Sequence, residues 1–163
     1  MKSNILSSVI VLVLIISIAG CKNSPKIDVE SEKKEIKTAI EASIGWALDK
    51  DFNLLYSIMA QDDNFFIFHP DSASTITGFE PFKKMAETLF KNPKFKATDF
   101  KVKQLRMNIS NSGDVSWFSA YLDDHAEWDG RPAGWDNVRW TGVLEKRGGK
   151  WVIVQMHFSF PKG

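Results

Sequence analysis

The chain has 163 residues, with 21 Lys plus Arg against 20 Asp plus Glu and a net charge of +1. So even a balance offers no electrostatic footprint for nucleic acid. A single cysteine excludes an intrachain disulfide, and the length suits one domain whose twelve Phe, six Trp and two Tyr furnish a core or an aromatic pocket.

The N-terminus is a targeting segment rather than part of a fold. Lys2 gives a short basic start, and residues 9–18 are almost wholly apolar. That run is shorter than the ~20 residues of a membrane span and fits the central region of a secretory signal. Ile18-Ala19-Gly20-Cys21 resembles the lipobox of bacterial lipoproteins. The resemblance implies cleavage before Cys21 and a diacylglycerol on its thiol, hence attachment to a membrane through that lipid in the cell envelope. Lys22, where an aspartate would signal retention, points to the outer membrane if there are two. The division is then a signal peptide over residues 1–20, a lipidated cysteine and polar linker over 21–32, and a domain over 33–163. Loss of Lys2, the only charge in the signal, leaves 20 basic and 20 acidic residues.

Within the domain, Ile36, Ala39, Ile40, Ser43, Ile44, Ala47 and Leu48 recur at three- and four-residue steps, the stripe of a long helix, with Glu30, Glu32 and Glu35 toward its positive end. A short second helix carries Leu55, Ile58 and Met59 on one face. Residues 64–69 form a buried strand stopped by Pro70, and residues 71–78 form a loop. A third helix begins near Phe79, with Pro81 in its first turn. Four strands follow. Phe100 and Val102 lie on even positions but Leu105, Met107 and Ile109 on odd ones, which predicts a β-bulge near Lys103-Gln104. Turns at Ser112-Gly113-Asp114, Asp129 to Pro132 and Arg147-Gly148-Gly149 separate strands near 115–128, 134–146 and 150–160. The class is α+β, three helices around an early strand and then a four-strand antiparallel meander.

Residues Trp46 to Met59, Asp62 to Pro70, Gly78 to Phe82 and Arg139 to Ser159, in this order, resemble the SnoaL-like branch of the nuclear transport factor 2-like superfamily. The resemblance implies a cone-shaped curved antiparallel β-sheet wrapped on the long N-terminal helix, with a pocket at its open end, and sheets that pair in homodimers. It does not select among isomerases, cyclases, dehydratases, hydrolases and binding modules.

The last hairpin permits a geometric expectation. A three-residue loop with Gly149 in the left-handed position sets Lys146 opposite Lys150 and therefore Arg139 opposite His157, with Thr141 facing Gln155 and Asn137 facing Ser159. In that register Arg139 holds an anion or carbonyl oxygen while His157 moves a proton or donates a hydrogen bond. The alternative is a polar outer face. A two-residue Gly148-Gly149 loop would part Arg139 from His157. Further ligand-binding candidates are Tyr56, which related proteins point into the cavity, His69 at the pocket mouth, and Trp117 with Tyr121 on one strand face. Asp123, and more loosely Asp136, is the candidate base, without a mapped set of partners. Asp123, His125 and Glu127 alternate on one strand, but the outer two stand ~13 Å apart at ~3.3 Å per residue, so no single metal site is expected. No dinucleotide fingerprint, P-loop, zinc-protease helix or nucleophile elbow is present, and no cofactor is expected. A small-molecule binder, a cofactor-free isomerase or cyclase, and a homodimerisation module all stay open.

Overall fold

Helix α1 (Val29–Asp49) starts ahead of residue 33 because Asp28 caps it, its carboxylate accepting the Ser31 N–H at 3.2 Å. This is the first element of the computed structural model, which describes residues 28–71 and 74–161. The signal sequence and Cys21 lie outside these residues. Ile36, Ala39, Ile40, Ser43, Trp46 and Ala47 form the buried stripe, whereas Leu48 is exposed. Lys50, left-handed at φ 54°, ends α1, and Asp51 caps α2 (Phe52–Ile58) by accepting the Leu54 N–H at 2.9 Å. Strands β1 (Phe66–Phe68) and β2 (Ile76–Thr77), helix α3 (Phe79–Phe90), and strands β3 (Phe95–Ile109), β4 (Val115–Trp128), β5 (Arg131–Arg147) and β6 (Lys150–Ser159) follow.

The sheet is one six-stranded layer in the order β2-β1-β6-β5-β4-β3. Strands β3 to β6 form the antiparallel meander, but the sheet as a whole is mixed. The early strand β1 runs parallel to β6, with Phe66, Ile67 and Phe68 opposite Gln155, Met156 and His157. The stretch expected as a loop over 71–78 supplies β2, antiparallel to β1. Helix α1 packs across the concave face, where Leu122, Val138, Trp140, Leu144, Ile153 and Phe158 close the core.

Bulges bend this layer. In β3 the register shifts between Lys103 and Arg106, with Gln104 at φ 52°, where the change of parity placed a bulge. Between β4 and β5 it shifts after Leu122, because β5 spends two residues, Asp136 and Asn137, against Asp123 alone. Asn137 is left-handed at φ 54°. The Lys103 ammonium donates to Asp123 Oδ1 at 2.5 Å and to Asn137 Oδ1 at 2.6 Å, and the Asn137 N–H donates to Asp123 Oδ1 at 2.9 Å.

The final hairpin corrects the expected register. Gly148 and Gly149, at φ 57° and 82°, form a two-residue turn, so Arg147 pairs with Lys150. A second shift between Val143 and Leu144, where β6 has the extra residue Val154, moves the pairing again. Arg139 consequently faces Ser159, and Thr141 faces His157. The two shifts together displace the pairing by two residues, which preserves the side of every far residue. Arg139, Thr141, Gln155, His157 and Ser159 therefore share one face as the alternation indicated, with Arg139 and His157 now diagonal neighbours ~7–8 Å apart.

Glu32 ties the helix start to this hairpin. Its carboxylate accepts from Lys146 Nζ at 2.5 Å and from the Trp151 indole at 2.7 Å. These bonds, the lysine's first, hold the Glu32 carboxyl below its usual range. A depressed folded-state pKa contributes stability above the unfolded value, and this is lost as pH falls through the folded one. Glu32→Gln is therefore expected to lower the unfolding free energy by about 1–3 kcal/mol at pH 7, and by less as pH drops below about 4, in denaturant titrations at each pH.

Candidate active or binding cavity

Past the bulges, the ends of β3, β4 and β5 turn toward the helices and enclose a cavity of about 660 Å³. Helix α1 contributes Ser43, Trp46 and Ala47, and α3 contributes Phe82, Met85 and Phe90. From the sheet come Phe95 and Ala97 on β3, Asp124 and Ala126 on β4, and Ala133 to Trp135 on β5. The segment 74–76 and His69 complete the wall beside β1. Ring contacts knit it together: Trp46 lies 4.5 Å from Phe90 between centroids, Phe90 lies 4.6 Å from Phe95, and Trp135 lies 5.8 Å from Phe158. A mostly apolar hollow of this size, with a few convergent polar groups, has the dimensions of a small-molecule site.

Among the described residues, two titratable side chains line the hollow, Asp124 and His69. Asp124 follows the even-numbered inner face of β4, after Phe118, Ala120 and Leu122. Its cross-strand partners are Phe100 and Trp135. Among the described residues nothing hydrogen-bonds or ion-pairs with its carboxyl. Burial pushes this group up to about 6, and the neighbouring His125 opposes the rise only in part. His69 stacks on Phe158 at 5.6 Å and 17°, and burial lowers its basicity. The Ser43 hydroxyl is committed to the Ile40 carbonyl at 2.7 Å.

Gly134 shapes the wall opposite Asp124. It sits at φ 123°, and a Cβ there would lie 2.2 Å from the Asp124 carbonyl oxygen. Only glycine allows β5 to approach so closely.

Of the residues expected at a site, His69 alone lines this cavity. Arg139 and His157 lie on the opposite, outer face of the sheet, where Arg139 is exposed and the His157 ring meets the Phe68 edge at 5.8 Å. Trp117 and Tyr121 share that outer face, 47% and 36% exposed. Asp123 is there too, engaged by Lys103 and by the Asn137 N–H, which hold its carboxyl below the usual range. Its neighbour His125 bonds Asp136 at 2.9 Å, and that bond raises its basicity. Tyr56 packs between Phe52 and Phe79 and donates to Glu87 Oε1 at 3.2 Å; burial first, then Glu87, pushes the phenol up to about 12. Among the described residues no group of three or more His, Cys, Asp or Glu converges as metal ligands would, and no helix is long and apolar enough to cross a membrane.

The residue missed from the sequence is Asp124. The signal was available: even positions of β4 are apolar from Phe118 onward, so an acid at 124 interrupts the inner face. The odd-numbered series Asp123, His125 and Glu127 lies on the face that points away.

A helix on a bent mixed sheet, enclosing an apolar hollow, defines the architecture of nuclear transport factor 2-like proteins, and solved structures share it. An NTF2-like protein of unknown function from Pseudomonas putida is 18% identical with a TM-score of 0.63, covering 84% of this chain and 91% of its own. An NTF2-like protein from Cytophaga hutchinsonii is 15% identical with a TM-score of 0.62, over 79% and 98%. The association domain of C. elegans CaMKII is 18% identical with a TM-score of 0.61, over 80% and 97%. The family is narrower than that fold: residues 36–163 match the model of the SnoaL-like domain, and the chain belongs to that family. No curated protein sequence matches it.

Because the folded-state pKa of Asp124 is raised, its ionisation opposes folding above that value. Asp124→Asn is therefore expected to stabilise the domain by about 1–2 kcal/mol at pH 7, an advantage full above about pH 6 and absent below about pH 4. Thermal denaturation of both proteins across that interval checks the sign.

Proposed function

We propose that this chain is a cell-envelope lipoprotein, tethered through a diacylglycerol on Cys21, whose SnoaL-like domain binds a small, largely apolar molecule inside the bent sheet. The cavity carries the reading. Its wall of Trp46, Phe90, Phe95 and Trp135 presents apolar surface that gains free energy on leaving water, and its few polar groups can orient a ligand.

A neutral, largely apolar fluorescent probe, N-phenyl-1-naphthylamine, is expected to bind with a rise in emission. Ala126→Trp, which sets an indole into the hollow, should weaken that binding at least tenfold while leaving circular dichroism unchanged. Absence of probe binding by the wild type would sink the reading. The tether is tested separately: in detergent phase partitioning the wild type should follow the detergent, and Cys21→Ser should move to the aqueous phase.

Two further readings have observations behind them. An isomerase or cyclase without cofactor is supported by Asp124, a carboxyl poised to exchange a proton near neutrality in the same hollow as His69. Turnover lost in Asp124→Asn would distinguish catalysis from carriage. Homodimer formation is supported by the exposed Phe68, Trp117 and Tyr121 on the outer sheet face and by the likeness to an association domain. Sedimentation of the solubilised protein decides it.

A further inference from the structure

We propose that the cavity's ligand carries a protonated amine on an apolar body, and that the Asp124 carboxylate, beside Trp135, is its counter-ion. The inference rests on the small-molecule reading above and narrows it to one charge class.

Several acids of the domain have a cationic partner. Glu32 meets Lys146, Asp62 meets Arg147, Glu87 meets Lys91, Asp123 meets Lys103, Asp129 meets Lys94 and Asp136 meets His125. Asp124 has no such partner among the described residues, although it is partly buried in the cavity wall. Its surroundings explain why none reaches it. Helices α1 and α3 face the hollow with Trp46, Ala47, Met85 and Phe90, and β3 and β5 face it with Phe95, Ala97, Ala133 and Trp135, none of them charged. Among the described residues the one other titratable side chain in the wall is His69, whose basicity burial lowers. His125, adjacent in sequence, points to the outer face and is held by Asp136.

At neutral pH the hollow therefore holds one uncompensated negative charge in an apolar, aromatic surround. Partial burial of a charge without a partner is unfavourable, and an opposite charge lowers that penalty. A ligand carboxylate would be repelled, and a neutral head would leave the anion unmatched. An ammonium satisfies the carboxylate, and an aromatic face beside it adds cation–π attraction. Trp135, directly across the strand pair from Asp124, supplies such a face. Binding of the cation also favours the ionised carboxyl, so complex formation near pH 6 should release a proton.

Three probes sharing one ring system isolate the head group: 2-naphthylmethylamine, 2-naphthalenemethanol and 2-naphthoate. Calorimetric titration of the detergent-solubilised chain at pH 7.5 should show the amine binding at least tenfold tighter than the alcohol, with the naphthoate weakest. The preference should collapse at pH 5 in the wild type and at pH 7.5 in Asp124→Asn, so the pH series keeps the test independent of that variant's folding. Equal binding of amine and alcohol at pH 7.5, or an amine preference that survives Asp124→Asn, would overturn the proposal while leaving the small-molecule reading intact. Failure of all three probes to bind would overturn both.

Discussion

The bend in the sheet is the constraint on which the other features depend. Seventeen residues of β5 at ~3.3 Å each would run roughly 55 Å if straight, whereas the 21 residues of α1 at ~1.5 Å cover roughly 30 Å. A flat sheet would carry its ends past the helix into water. The extra residue at Gln104 in β3 falls beside Ala120 and Tyr121 of β4 and the one at Asn137 in β5 beside Asp123, and the ammonium of Lys103 spans the interval by reaching Asp123 on β4 and Asn137 on β5. Isolated surface ion pairs contribute little. This one differs because its three members satisfy backbone and side-chain groups that the broken ladder leaves without strand partners.

The hollow follows from the bend. Asp124 and Ala126 continue the inner alternation of β4 beyond the bulges, so the same periodicity that places Leu122 in the core places an acid in the cavity wall. Beneath Leu122 the concave side is filled by Trp140, Leu144, Ile153 and Phe158. Above it, Ala126, Ala133 and Gly134 are too small to fill the same space. Side-chain size, changing from large to small along β4 and β5, decides where core ends and cavity begins.

Much of this was legible in the sequence, and the failures have physical causes. The stripe of α1, the ends of β4 and the bulge near Lys103-Gln104 follow from periodicity, because burial on one face enforces it. Strand β2 has two residues and no periodicity to show, and the parallel pairing of β1 with β6 links residues 66–68 to 155–157, which no local pattern encodes. The last hairpin failed on turn type: both three-residue and two-residue loops suit Arg147-Gly148-Gly149, and Val154 then added a shift that alternation alone does not expose. Arg139 and His157 kept their common face but not their direct pairing. Asp124 is legible as the single charge on the inner face of β4, beside the charged residues that alternate on the outer one.

The parallel pairing of β1 with β6 also bears on the order in which the molecule can be completed during synthesis. The three residues of β1 hold only to the still shorter β2 and to the final strand. Helix α1 likewise draws on contacts with β6. Part of the apolar surface of the N-terminal half therefore stays uncovered until β6 is in place.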